Sequence, residues 1–295
     1  MKPPSTVPVH PASFLLLTLD SCRYDTFEAA RAPNLHAIGP VHKAYAPGTF
    51  TYSSHAAMFM GFTPGVPQIQ QAFTNPKYAK ILRVEGGASQ GPAAPFMALK
   101  GRNVIDGLKQ KGYRAFGTGA VAWFDPTRPT SRTLIADFED FFYPGDTYSL
   151  RRQLRFVDAV LEGVDGPVFL FVNVGETHVP YYFEGAPWSR RPSPCRPFAE
   201  GNDADECRRR QLGCLEFVDQ ELAPLLERFA AASVVACADH GDAWGEDGMW
   251  EHGIHHPKVL EVPLTYRLVS PPATGWFDSL RRFDSARRFV RAGQP

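Results

Sequence analysis

Asp239 and His240 are the residues whose types and spacing most directly suggest chemistry. They end the run SVVACADHGD, in which residues 234–238 form an apolar stretch too short for a helix and bounded by polar residues. Such a stretch reads as a core strand of a mainly parallel sheet that delivers a carboxylate and an imidazole at its end. Buried there, both groups need a partner, and an Asp oxygen with a neutral His nitrogen suits zinc, manganese or iron. For a lone Asp-His-Gly the plainer reading is an aspartate that caps the next turn, followed by an uninvolved histidine.

The same pattern recurs. FLLLTL at 14–19 is a second apolar strand and ends in Asp20; VFLFVNV at 168–174 is a third and runs into Gly175, Glu176, Thr177 and His178. Open α/β sheets bind ligands in the crevice beyond the carboxyl ends of their strands, so three such strands imply one shared site. TFTYSSHAAMFMG at 49–61 adds a helix start: hydroxyls at 51–54 offer N-cap groups, 56–60 favours helix, and Gly61 with Pro64 supplies the stop. Free N–H groups and the helix dipole attract an anion at such a position, although capping alone needs only one of those residues.

The elements that must position these groups alternate. Helices are expected at 102–111, 149–162 and 206–232, the last with Leu212, Leu215, Val218, Leu222 and Leu225 at helical spacing. Further strands are expected at 113–117 and over VLEVPLTYR at 259–267, and residues 76–95 read as a loop. Trp123 and Arg128 after one strand, and Arg190, Arg191 and Arg196 after another, lie within reach of the site; a packed ring and solvated charges are the simpler reading. LRRFDSARRFVR near the end reads as a basic amphipathic helix docked by Leu280, Phe283 and Val290.

At 295 residues and 44% hydrophobic, the chain can bury a large core, and the expectation is one domain over 1–295. The fold class expected is α/β, a mainly parallel central sheet with helices on both faces. A formal net charge of +0 gives no reason to expect nucleic acid or a membrane surface. The first apolar run is too short for a signal segment or a membrane span, so a cytoplasmic protein is expected, with a homo-oligomer left open. The five cysteines are odd in number with no C-x-x-C pair, which points to free thiols.

Five blocks, LTLDSCRYD, TFTYSSHAAMFMG, VGETHVPY, ADHGDAWGEDGMWEHG and EVPL, resemble in the same order those of the sulfatase-like branch of the alkaline phosphatase superfamily. The resemblance implies an alkaline phosphatase-like α/β metalloenzyme that transfers phosphoryl, phosphonyl or sulfuryl groups through a covalent intermediate on a metal-bound nucleophile. Asp20 resembles the first metal-binding aspartate, and Asp239 with His240 the second cluster. Thr51 stands where the C-x-P-S-R-A-A block of sulfatases has its nucleophile, so no Cys or Ser is present there to become formylglycine. The G-K-W-H-L-G block is also absent, the region reading GTGAVAWFDP. Both departures favour the threonine-using phosphodiesterase, phosphonate monoester hydrolase and lipoteichoic acid synthase-like members.

His178 resembles the histidine of the P-H-x-P block and His252 that of the downstream H-G, positions that contact substrate oxygens or assist the leaving group. Two-metal members carry an Asp-x-x-x-His pair; with Val174 four residues before His178, one divalent metal is implied, manganese or zinc first, magnesium or calcium as alternatives. Its ligands would be Asp20, Thr51, Asp239 and His240. Glu176, His255 and His256 are weaker candidates for a second metal. The expected activity is hydrolysis of a small anionic phosphate or phosphonate ester through Thr51, assisted by His178 and His252. Alternatives are transfer to an acceptor alcohol, sulfate ester hydrolysis without formylglycine, and a non-catalytic metal or anion binder. The chain is short for this branch, which implies a reduced C-terminal subdomain.

Overall fold

The computed structural model describes residues 7–61, 83–85 and 98–269. The first elements in chain order are β1 (Phe14–Leu19), α1 (Tyr24–Ala29), α2 (Pro33–His36), β2 (Val41–Tyr45) and α3 (Thr51–Met60). A short antiparallel pair, β3 (Arg83–Glu85) and β4 (Ala98–Lys100), precedes α4 (Val104–Lys109), β5 (Arg114–Gly119), α5 (Pro129–Ile135), β6 (Asp140–Phe142) and α6 (Leu150–Leu161). Then come β7 (Val168–Val174), α7 (Ala204–Arg228) and β8 (Ser233–Ala238). The antiparallel pair β9 (Ala243–Trp244) and β10 (Trp250–Glu251), α8 (Pro257–Leu260) and β11 (Glu261–Arg267) complete the order.

One sheet runs β2-β11-β8-β1-β7-β5-β6. Strands β8, β1, β7, β5 and β6 are parallel, and β11 is antiparallel to both β8 and β2. The sheet is therefore mainly parallel, as expected, with an antiparallel turn-back at one side.

Period-two alternation along β1 and β7 sorts their side chains between two cores. Leu15, Leu17, Leu19, Leu170 and Val172 pack with Phe27, Leu35, Leu150 and Leu215 from α1, α2, α6 and α7. On the opposite face, Phe169 and Phe171 pack with Phe59, Ile105 and Leu134 from α3, α4 and α5. Helices thus cover both faces. Each buried Leu or Phe contributes roughly 1.5–3 kcal/mol of transfer free energy, which anchors the central strands firmly. Two polar residues interrupt them, Thr18 and Asn173, both buried and directly opposite each other in register on the α3 face.

Local departures have local causes. The long helix begins at Ala204, because Asp203 caps it by accepting from the Glu206 N–H at 2.9 Å, and it ends at Arg228. After β5 comes α5, which starts with Pro129 in its first turn, where a missing N–H costs nothing. Within 76–95, Arg83–Glu85 forms a strand; the rest of that loop, the segment around Leu280, Phe283 and Val290, and any reduced C-terminal subdomain built from 270–295 lie outside the described residues. Among the described residues no helix is long and apolar enough to cross a membrane. All five cysteines are free.

Candidate active site

Leu19 of β1 lies opposite Ala238 of β8, so Asp20 and Asp239 emerge side by side from adjacent parallel strands. Both are fully buried. Asp239 Oδ1 accepts from the backbone N–H of Ser21 at 3.2 Å and of His240 at 3.0 Å, whereas its Oδ2 has no hydrogen-bond partner among the described residues. Burial, and then the charge of Asp20, push the Asp239 carboxyl well above the usual carboxylate range. A buried carboxylate pair with one oxygen orphaned is an arrangement that a bound cation relieves.

His240 supplies the third donor. Its Nδ1–H donates to the Gly241 carbonyl at 3.1 Å, which leaves the Nε2 lone pair 3.7 Å from Asp20 Oδ1 and 3.5 Å from Asp239 Oδ2. Burial, with His252 adding to it, lowers the imidazole to about 4, so the ring is neutral near pH 7. Ligand atoms of Asp20, Asp239 and His240 all lie within 4.8 Å of one another. Two carboxylates and a neutral imidazole oriented by a backbone carbonyl match the donor set of zinc or manganese, and the orphaned Asp239 oxygen gives such an ion a vacant donor. These residues fit a divalent metal.

Helix α3 brings Thr51 to the same place. Phe50 is the N-cap and no side chain caps the helix, so residues 51–54 are not the capping hydroxyls their spacing suggests. Ser53 Oγ donates instead to the Phe50 carbonyl at 2.8 Å, and Thr51 Oγ1 donates to Asp20 Oδ2 at 3.3 Å while lying 3.4 Å from His240 Nε2. Gly48 permits this approach, since a Cβ there would sit 2.1 Å from Ser53 Oγ.

One turn along α3, His55 braces Thr51. Its Nδ1–H donates to the Thr51 carbonyl at 2.8 Å, and Thr18 Oγ1 donates to its Nε2 at 3.0 Å. Burial lowers the His55 imidazole to about 4, which keeps Nε2 an acceptor. Asn173 donates from Nδ2 to Thr18 Oγ1 at 3.2 Å and to Asp20 Oδ2 at 3.3 Å. The two polar residues of the central strands therefore tie Asp20 and α3 together.

His252 and His178 stand beside this centre. The His252 ring is 4.5 Å from that of His240 and 5.3 Å from that of His178, centroid to centroid. His178 is held through Nδ1, which donates to the Val179 carbonyl at 2.7 Å. His252 Nδ1–H donates to Asp242 Oδ1 at 2.7 Å. Burial opposes the charged ring, but the Asp242 carboxylate outweighs it and raises His252 to about 9. Atoms of His240, Asp242 and His252 also lie within 4.8 Å of one another. There, however, Asp242 Oδ2 already accepts from the Tyr181 hydroxyl at 2.7 Å, so both of its oxygens are satisfied and this group lacks the unpaired oxygen found at Asp239.

A family model described as Sulfatase matches residues 35–264. The chain belongs to the sulfatase family. Asp20 precedes the matched residues, and its place beside Asp239 comes from the strand register. A search of curated proteins finds no match. Among solved structures, this sulfatase-family chain is similar to the C-terminal periplasmic domain of phosphoethanolamine transferase EptC from Campylobacter jejuni, with a TM-score of 0.56 and 14% identity over 88% of this chain and 80% of that one. It is similar to the zinc complex of the C-terminal periplasmic domain of EcEptC from Escherichia coli, with a TM-score of 0.58 and 11% identity over 90% and 75%. It is also similar to the phosphonate monoester hydrolase of Agrobacterium radiobacter, with a TM-score of 0.56 and 14% identity over 87% and 68%. The fold is that of the alkaline phosphatase superfamily.

In this sulfatase-family chain the structure gathers Asp20, Thr51, Asp239 and His240 around one point and sets His252 and His178 at its edge. Other candidates go elsewhere. Glu176 turns away to cap α6, accepting from the Leu150 N–H at 2.8 Å, and His256 caps α8 by accepting from the Lys258 N–H at 3.1 Å. His255 is exposed. Arg128 lies beside Asp125 at 3.4 Å and Arg190 pairs with Asp146 at 3.0 Å, while Arg191 is exposed and Arg196 donates to the Glu200 carbonyl. Trp123 packs against Phe50 and Tyr52, the neighbours of Thr51. Sequence reasoning missed Thr18, His55, Asn173, Asp242 and Tyr181; the signal for two of them was a lone polar residue inside each of FLLLTL and VFLFVNV.

Proposed function

We propose that this chain is a metal-dependent enzyme that cleaves small anionic phosphate or phosphonate esters through a covalent intermediate on Thr51. The observation that carries this reading is the convergence of Thr51 Oγ1 with Asp20, His240 and the unpaired Asp239 oxygen in one buried cluster. Asp20, Asp239, His240 and Thr51 would hold one divalent ion, zinc or manganese, which lowers the pKa of a bound hydroxyl and draws charge from the ester. Similarity to a domain solved as a zinc complex supports zinc as the ion.

The residues themselves define the rest. The Thr51 hydroxyl points its proton at Asp20 Oδ2, so Oγ1 turns a lone pair outward to phosphorus. As that proton passes to Asp20 Oδ2, a bond forms between Oγ1 and phosphorus and the bond to the leaving alcohol breaks. His252, kept cationic by Asp242, donates the proton that the departing alkoxide needs. His178 and the first-turn N–H groups of α3 hold the remaining oxygens, so catalysis is largely positioning and electrostatics. Water then frees the group from Thr51.

A second reading, transfer to an acceptor alcohol, is supported by the similarity to a phosphoethanolamine transferase. Thr51 in place of a formylglycine precursor weighs against sulfate esters. Turnover of nitrophenyl phosphate, phosphodiester, phosphonate and sulfate esters, measured after reconstitution with zinc, manganese, magnesium or calcium, tests the proposal. Phosphate or phosphonate esters are expected to turn over with zinc or manganese. Preference for the sulfate ester, or turnover unaffected by chelation, would overturn it, and an added alcohol that diverts product distinguishes transfer from hydrolysis.

A further inference from the structure

Tyr181 is fully buried and holds a positive φ of 58°, a conformation that a bulky residue keeps only when its surroundings enforce it. Its backbone is held by the N–H donating to the His178 carbonyl and by its own carbonyl accepting from Trp188 Nε1, both at 2.8 Å, and its hydroxyl sits in a directed chain of hydrogen bonds. An indole N–H can only donate, and Trp244 Nε1 donates to Tyr181 Oη at 2.7 Å. With Oη accepting there, the Tyr181 hydrogen goes to Asp242 Oδ2 at 2.7 Å, and Asp242 Oδ1 accepts from His252 Nδ1 at 2.7 Å. Every donor in the series points toward the carboxylate. The far end is clamped as well: the Arg23 guanidinium lies 4.1 Å over the Trp244 ring, and it is anchored by Asp25 at 2.7 Å and Glu246 at 2.8 Å.

We propose that Tyr181, backed by Trp244, is a positioning residue that fixes Asp242 so that His252 presents Nε2 to the leaving oxygen. This rests on the role given to His252 above. As the phosphorus–oxygen bond breaks and the Thr51 Oγ1–phosphorus bond forms, the Nε2 proton passes to the departing oxygen, and the ring keeps its Nδ1–H on Asp242. Two hydrogen bonds to Asp242 leave its carboxylate one orientation, so a ring bonded to it has one orientation too. Without the Tyr181 hydroxyl the carboxylate is free to rotate, and His252 with it. The demand for a well-placed proton is greatest when the leaving alcohol is a poor leaving group.

The test compares wild type, Tyr181→Phe, His252→Gln and the double variant on an alkyl ester and a nitrophenyl ester of the same acid, with bound metal measured in each. Tyr181→Phe is expected to lose about tenfold more kcat on the alkyl than on the nitrophenyl ester, with KM changed less than about twofold and metal content unchanged. His252→Gln is expected to show the same pattern more strongly, and the double variant is expected to be no worse than His252→Gln alone, because the tyrosine acts through the histidine. Equal losses on both esters, additive losses in the double variant, or loss of metal in Tyr181→Phe would overturn the inference and mark the tyrosine as structural. If His252→Gln itself spares the alkyl ester, or wild type turns over neither ester, the reading of His252 fails and the inference falls with it. Should Tyr181→Phe not fold, Trp244→Phe, which keeps the Tyr181–Asp242 bond but removes the donor behind it, is expected to give the same pattern in weaker form; the absence of any leaving-group dependence there would equally overturn the inference.

Discussion

Asp20 and Asp239 leave the sheet at the same level of two adjacent parallel strands, so their carboxylates meet in a buried site with His240 beside both. Without a cation, this arrangement is strained by like charge and by one unpaired oxygen.

That strain makes Asp239→Asn informative. In the wild type, a divalent metal at a hundredfold excess over its Kd is expected to add about 2.7 kcal/mol to folding stability by linkage. In Asp239→Asn, the metal-free protein should melt at or above the wild-type metal-free temperature, because a like-charge pair is gone, while added zinc or manganese no longer raises it. Thermal melts with and without metal measure both. A variant that still gains the wild-type increment would remove Asp239 from the ligand set.

Thr18→Val tests the brace behind Thr51. The change keeps the branched shape on β1 but leaves His55 Nε2 without its donor and Asn173 Nδ2 without one of its acceptors. An expected cost of about 1–3 kcal/mol per unpaired buried group follows, read as a lower urea midpoint, together with a lower kcat as α3 loosens. Unchanged stability and rate would mean that the brace contributes nothing.

Glu176 gives stability a pH dependence apart from the proposed metal ligands. Burial pushes its carboxyl up to about 8 from an ordinary value of 4.5. Between those pH values the folded chain holds a proton that the unfolded chain has released, so stability from this group declines as pH rises through the window. The amide of Glu176→Gln still accepts from the Leu150 N–H but cannot ionise. The variant should therefore be more stable than wild type at pH 8, by on the order of a few kcal/mol, and nearly equal to it at pH 4.5. Denaturant melts across that range check the sign; parallel curves for the two proteins would contradict it.

Much of the fold was legible because apolar runs ending in acids or histidines mark strands of a parallel sheet, and Asp20, Asp239 and His240 sit where those runs stop. The antiparallel direction of β11 was not legible, since EVPLTYR is as apolar as a parallel strand would be and strand direction leaves no trace in composition. The hydroxyls at 51–54 look like caps in sequence, yet the extended Phe50 takes that place and frees Thr51 for Asp20. Thr18 and Asn173 become meaningful only once the register puts them opposite each other. Asp242 and Tyr181 are far apart in sequence, and only the folded loops bring the hydroxyl to the carboxylate.

The most direct test is Thr51→Ala, assayed for bound metal and for ester turnover on the same preparation. The expected result is a folded protein that retains most of its zinc or manganese through Asp20, Asp239 and His240 but has lost turnover by several orders of magnitude. Turnover at the wild-type rate with metal bound would contradict the role assigned to the Thr51 oxygen.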